Sequence, residues 1–254
     1  MSEPLLSARH LSVRFGGVLA VNDVSFDVRP GEVFTLIGPN GAGKTTIFNL
    51  VSRINDPTAG SIHFDGRDIT RVAANQVASL GIARTFQNIE LFDNANVMQN
   101  ILVGCHVRVA TSLWTEILRL PSFTRQEVEA RKEVERIMDF LGLDRYRDST
   151  VGSLPYGVRK MVELGRALAV SPKLLLLDEP SSGLNVEETD NIGSWIRDIR
   201  DVLGVTILMV EHDMRLVSAV SDRVMALNYG RLLAIGTASQ VQRDPAVISA
   251  YLGH

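Results

Sequence analysis

The chain has 254 residues, 45% of them apolar and 22% charged, the balance of a globular protein with a real core, which excludes disordered and collagen-like chains. A formal charge of -3 at pH 7 and a pI near 6.0 argue against a general nucleic-acid binder, which needs a basic stripe to neutralise phosphates. The single cysteine, Cys105, cannot close an internal disulfide; it fits a reducing cytoplasm and reads as a small buried hydrophobe, and no zinc-ligand spacing is present.

The N-terminal stretch MSEPLLSARHLSVRF lacks the charged start, apolar run and cleavage site of a signal peptide. From residue 5 to about 65 the pattern is that of strands: LSVRF, VSFDV, a turn at Pro30 and Gly31, VFTLI, and SIHF before a turn at Asp65 and Gly66. Helical signals dominate from 88 to about 160. Thr124 and Glu127 have the spacing of a capping box, Val134, Ile137, Met138 and Leu141 share one face, and Gly142 is a stop. The run SLPYGVRKMVELGRAL puts Pro155 and Gly157 ahead of a further helix with Met161, Leu164, Ala167 and Leu168 apolar. Then come the apolar strand KLLLLDEP, a helix striped by Ile192, Trp195, Ile196, Ile199 and Leu203, and the strand VTILMVEH. Strand, helix, strand with continuous apolar strands predicts a buried parallel sheet. The tail RVMALNYGRLLAIG predicts a hairpin turning at Tyr229 and Gly230. No run reaches the roughly 18 apolar residues of a membrane helix, so the chain is expected to be soluble and to meet membranes only through a partner.

VFTLI runs into GPNGAGKTT, where Gly38, Gly43, Lys44 and Thr45 fit the P-loop pattern. Glycines let backbone N–H groups curl around a phosphate, the next helix offers its positive end, Lys44 reaches the β and γ oxygens, and Thr45 holds magnesium. The chemistry also needs an acid to hold the metal through water and a group to orient the attacking water. Asp178 and Glu179, closing LLLLDEP, supply these. His212 ends another apolar strand on the same sheet edge, where open parallel sheets bind ligands, and suits a γ-phosphate contact. Gln87, after the strand-like IARTF, could reach that edge too.

In this order and spacing, GPNGAGKTT, TFQN, LLLLDEP, SSGLN and VEHD resemble the nucleotide-binding subunits of ABC transporters over essentially the whole chain. The resemblance implies an α/β fold: a P-loop NTPase core with a mainly parallel sheet, an N-terminal antiparallel β subdomain and an inserted α-helical subdomain. The expected organisation is one domain over 1–254, with core and β subdomain at 1–87 and 160–254 and the helical insertion at 88–159. The implied ligands are ATP and Mg2+. Gly38, Pro39, Asn40, Gly41, Ala42, Gly43, Lys44, Thr45 and Thr46 form the phosphate loop, and Phe15 stacks on adenine. Thr45, Gln87 and Asp178 serve the metal, Gln87 also linking nucleotide and magnesium to the membrane subunit. Glu179 polarises the water and His212 holds the γ-phosphate side.

LPYGV stands where the family usually has Leu-Ser-Gly-Gly-Gln, a segment that binds the ATP held by a second subunit. Leu154, Pro155, Tyr156 and Gly157 are thus expected at a neighbour's nucleotide through a helix N-terminus. Pro155 replaces the usual serine, Tyr156 a glycine and Val158 a polar residue, while Asn185 replaces a common aspartate. Together with ARTFQNIELF and DPAVISAYLG, these departures resemble the ATP-binding subunits of branched-chain amino acid importers. Urea and aromatic-acid importers and lipopolysaccharide-export ATPases share much of the pattern. A soluble ABC protein acting on ribosomes or DNA ends usually carries tandem cassettes, a long coiled-coil insertion or basic extensions, which this chain lacks.

The expected partners are two transmembrane permease subunits, a second ATP-binding subunit (a sister ATPase or another copy) and, indirectly, a solute-binding protein, with no nucleic acid. The expected location is the cytoplasmic face of the inner membrane. Phe92, Trp114, Leu118, Leu120, Pro121 and Phe123 either pack the helical part or line a groove for a permease helix.

Overall fold

The computed structural model describes residues 3–85, 89–105 and 121–252. Two compact units divide the chain, Met1–Val77 with Lys173–His254 and Ala78–Pro172.

The first unit holds an antiparallel sheet of β1 (Leu6–Phe15), β2 (Val18–Val28), β4 (Ala59–Phe64) and β5 (Arg67–Asp68), in the order β2-β1-β4-β5. Leu6, Ala8, Leu11 and Val13 of β1 are buried. The register shifts between Ala8 and Leu11, where His10 takes a φ of 50°. This bulge breaks the alternation, so the sequence pattern marks only the second half of the strand.

A second sheet in the same unit contains β3 (Val33–Ile37), β7 (Leu174–Asp178), β8 (Thr206–Val210), β9 (Arg223–Asn228) and β10 (Arg231–Gly236), ordered β10-β9-β3-β8-β7. β9, β3, β8 and β7 are parallel and β10 is antiparallel to β9. Every residue of β3, β7 and β8 is buried, as expected for parallel strands covered on both faces. The hairpin forms where expected: β9 and β10 are joined by Tyr229 and Gly230, both at positive φ (45° and 72°), the signature of a type I′ turn.

Helix α1 (Lys44–Val51) follows β3, α2 (Ala74–Val77) closes the N-terminal part, α6 (Val186–Asp201) links β7 to β8 and α7 (Met214–Val220) links β8 to β9. Helices α8 (Ala238–Gln242) and α9 (Pro245–Leu252) follow β10, and Val241 and Val247 pack into a cluster with Ile37, Val217, Val224 and Ala226. Ile192, Ile196 and Ile199 of α6 are buried as predicted, but the helix ends at Asp201, so Leu203 lies beyond it and is exposed. Gly204, at φ 67°, turns the chain toward β8.

The second unit contains the short strand β6 (Ile82–Arg84) and helices α3 (Val97–Cys105), α4 (Pro121–Phe140) and α5 (Tyr156–Leu168). Val134, Ile137, Met138 and Leu141 are buried, and Gly142 takes a φ of 65°, as the periodicity predicted. The helix starts earlier than the capping-box spacing predicts. Pro121, whose φ is preset and whose missing N–H costs nothing at a first helical position, opens α4, leaving Thr124 inside it rather than at its cap. Gly104 of α3 leaves no room for a Cβ against the carbonyl of Arg166, so α3 and α5 meet backbone to backbone. α5 belongs to this unit, which therefore extends past residue 159, where the sequence reading closes the insertion. Cys105 is buried and forms no disulfide. Among the described residues, no helix is long and apolar enough to cross a membrane.

Candidate nucleotide site

Strand register brings three chemical segments together at one sheet edge. Leu36 of β3 is level with Val210 of β8, and Val210 is level with Asp178 of β7. The segments beginning at Gly38, Glu179 and Glu211 therefore leave the sheet side by side at the carboxyl ends of parallel strands, where such sheets open a crevice. Two cross-strand bonds continue the ladder past its end: the Glu179 amide donates to the Val210 carbonyl (2.9 Å) and the Glu211 amide to the Leu36 carbonyl (3.2 Å).

The loop from Gly38 to Gly43 delivers the chain into α1. Gly43 is the N-cap, at φ 101°, with no side-chain cap bond, and the first turn carries no acid. The helix start thus offers backbone N–H groups and a positive dipole end to an anion. Lys44 is only 8% exposed. Its ammonium donates to the carbonyls of Gly38 (2.7 Å) and Pro39 (3.0 Å), spanning the loop. Burial pushes Lys44 below its ordinary pKa of 10.5, while the carboxylates of Glu179 and Asp178 pull it back up. Asn40, Gly41 and Thr45 are exposed, Pro39, Gly43 and Thr46 are half-buried, and Gly38 and Ala42 are buried.

The β9–β10 turn holds the loop from behind. Gly230 donates its amide to the Ala42 carbonyl (2.9 Å), and its own carbonyl accepts from the Asn22 amide (2.8 Å). A Cβ at Gly230 would lie 2.5 Å from the Ala20 carbonyl oxygen, so only glycine fits between β2 and the loop. At the far end of β2, Phe15 faces Val18 across Gly16 and Gly17 and is 48% exposed, not a core side chain.

Asp178 is buried at the end of β7. Glu179 follows at φ 49°, a left-handed conformation that a side-chain-bearing residue adopts only when its surroundings enforce it. The His212 Nδ1 lies 3.9 Å from a Glu179 carboxylate oxygen and 3.9 Å from one of Glu211.

A family model described as ABC transporter matches residues 21–182, and one described as branched-chain amino acid ATP-binding cassette transporter matches 231–254. The chain belongs to the ABC transporter family. The high-affinity branched-chain amino acid transport ATP-binding protein LivG of Escherichia coli (strain K12) is 41% identical over 100% of this chain and 99% of its own length. Its counterpart BraF of Pseudomonas aeruginosa is 40% identical with the same coverage. Among solved structures, the ADP conformation of MJ1267, an ATP-binding cassette of an ABC transporter, superposes with a TM-score of 0.87 at 29% identity, covering all of both chains. Membership in this ABC family makes the chain an ATPase and ATP its nucleotide.

In the second unit of this ABC chain, Pro155 is the N-cap of α5 (φ -55°, ψ 151°), and Tyr156 and Gly157 open the helix without a side-chain cap or an acid in the first turn. Leu154 is half-buried and Tyr156 exposed, with the Lys160 ammonium 5.6 Å from the Tyr156 ring centre. Asn185 is the N-cap of α6 in a capping box: its side chain accepts from the Glu188 amide (2.9 Å) while the Glu188 carboxylate accepts from the Asn185 amide (3.0 Å). Asparagine caps as well as the aspartate common here, so the departure preserves the helix start. Gln87, Trp114, Leu118 and Leu120 lie outside the described residues, as do the side chains of Pro121 and Phe123. The sequence reading missed Glu211, a fully buried acid. Its only signal was a carboxylate ending an apolar strand beside a candidate histidine.

Proposed function

We propose that this chain is the ATP-hydrolysing subunit of a membrane importer for branched-chain amino acids. The observation that carries the chemistry is the convergence of the P-loop, Asp178, Glu179 and His212 on one sheet edge. The solute class rests on the full-length likeness to LivG and BraF and on the family match of the C-terminal segment.

The site suits a polyphosphate with a hard cation. Uncapped amides at the α1 start and the Lys44 ammonium face the loop, and oxygen donors stand nearby in the exposed Thr45 hydroxyl and the Asp178 carboxylate. Among the described residues no cluster of three or more His, Cys, Asp or Glu could hold a metal unaided, the usual situation for magnesium, which shares its ligands with phosphates and water. Thr45 and Asp178, with Gln87, would hold Mg2+, which when bound supplies charge neutralisation on the β and γ oxygens.

In this reading Lys44 exchanges the Gly38 and Pro39 carbonyls for phosphate oxygens, and Phe15 offers its exposed ring to adenine. The Glu179 carboxylate orients the attacking water and accepts its proton. His212 donates to the γ-phosphate, and Gly38 through Thr46 cradle the phosphates. Residues Leu154 to Gly157 serve the nucleotide of a second ATPase subunit, so that ATP closes a dimer and hydrolysis reopens it. Two permease subunits follow that cycle, bringing the chain to the cytoplasmic face of the inner membrane, and a solute-binding protein feeds them. The exposed Phe92 belongs to the segment that would receive a permease helix.

The test is to purify the tagged chain from its native membranes in mild detergent, identify its stoichiometric companions and reconstitute them in liposomes. Two multi-span permeases, a second ATPase and ATP-driven uptake of labelled leucine, isoleucine or valine that is lost in Glu179→Gln are expected. Ribosomal or DNA-repair companions, or uptake indifferent to Glu179→Gln, would overturn the reading.

A further inference from the structure

Glu211 is fully buried, yet it carries a carboxylate at the edge of the nucleotide site. Its two oxygens reach different segments. One accepts from the Ser181 amide at 2.8 Å. The other accepts from the amides of His212 at 2.8 Å and Asp213 at 3.1 Å. A carboxylate satisfied by backbone N–H groups in a dry interior makes short, charge-assisted bonds whose directions are fixed.

The Ser181 bond crosses from the end of β8 to the segment following β7. Ser181 is two residues past Glu179, whose φ of 49° is strained. On its near side Glu179 is tied by its own amide to the Val210 carbonyl at 2.9 Å. On its far side the chain is tied through Ser181 to the Glu211 carboxylate. Strained backbone persists where its surroundings over-determine it, and the last residue of β8 and the residue after it supply the two restraints here. The same carboxylate sets the path of His212 and Asp213, and Asp213 caps α7 by accepting from the Arg215 amide at 2.8 Å.

We infer that Glu211 is a positioning residue for hydrolysis, a carboxylate clamp that fixes the backbone on which Glu179 and His212 are carried. This rests on the roles given to those two residues under Proposed function. Glu211 acts through the backbone amides it holds, from a fully buried position. It holds one relation constant: the placement of the water-orienting acid relative to the phosphate-facing histidine.

Glu211→Gln tests this with almost no change in shape. The amide keeps one acceptor oxygen but turns an NH2 donor toward backbone N–H groups on one side, so either Ser181 or the His212–Asp213 pair loses its acceptor. In the intact transporter complex, kcat for ATP is expected to fall by about tenfold to a hundredfold, the scale set by displacing a reacting group by about 1 Å. The dissociation constant for ATP, set by the P-loop, is expected to stay within about twofold. Amide hydrogen exchange is expected to accelerate at Ser181, His212 or Asp213 and to remain unchanged across α1 and β3.

Wild-type kcat in Glu211→Gln overturns the proposal. So does a parallel loss of ATP affinity and turnover with exchange raised throughout the first unit, which marks a merely structural acid. Glu179→Gln and His212→Ala are measured beside it. If those two hydrolyse ATP like the wild type, the reading of the site fails and the clamp with it; if they fail while Glu211→Gln does not, only the clamp is lost.

Discussion

The left-handed backbone of Glu179 makes a stability prediction that runs opposite to activity. An L-residue in this conformation costs about 1–2 kcal/mol relative to the right-handed region, and glycine escapes that cost. Glycine in turn loses about 0.5–1 kcal/mol through the greater freedom of its unfolded chain. The comparison that isolates the backbone is Glu179→Gly against Glu179→Ala, since both remove the carboxylate and its packing and only the alanine stays strained at φ 49°. Taking the middle of each range, the difference favours glycine by about 0.75 kcal/mol. At about 2–4 °C per kcal/mol for a chain of this size, Glu179→Gly should melt about 1.5–3 °C above Glu179→Ala. Both should lose hydrolysis by about a hundredfold or more through removal of the base. The assay is paired thermal melts at one pH and protein concentration, with ATPase rates on the same preparations. An alanine variant as stable as the glycine variant, or more so, would refute the claim that this position stores strain.

Lys44, pushed by burial below its usual 10.5, should be drawn back up by bound phosphate oxygens. At alkaline pH below 10.5 the free site is then partly deprotonated, so ATP binding should take up protons and weaken as pH rises. Calorimetry in two buffers of different ionisation heat, at one pH, would show a binding heat that differs between the buffers, and equal heats would refute it. Asn185→Ala removes the reciprocal cap of α6 and should cost about 1 kcal/mol, lowering the melting temperature by about 2–4 °C. Asn185→Asp should leave it unchanged, and thermal melts of both variants decide the matter.

The candidate phosphate site was legible because its chemistry is local: GPNGAGKTT would supply glycine, lysine and hydroxyl within a short run of chain, and an apolar strand ending in Asp178 and Glu179 announces its own sheet edge. The parallel sheet was legible for a related reason, since strands buried on both faces have no polar alternation to blur. What escaped depended on partners distant in sequence or on backbone geometry. Glu211 satisfies Ser181, thirty positions away, and no spacing rule anticipates that bond. The positive φ of Glu179 was invisible because only glycine advertises such a conformation. Thr124 was misplaced because two competing start signals lay three residues apart and Pro121 was the one used. Leu203 continued the apolar period of α6 on paper, yet the helix stopped before it.

The turn at Tyr229 and Gly230 sets a fixed length for the chain. Its glycine amide is held by the P-loop at Ala42 and its carbonyl by Asn22 of β2, with no space for a Cβ. One residue added between Asn228 and Arg231 would either break those two bonds or slide β10 by one position, turning its side chains to the opposite face. Insertions, tags and affinity loops belong elsewhere on this molecule, because the spacing of this hairpin is also the spacing of the phosphate loop in front of it.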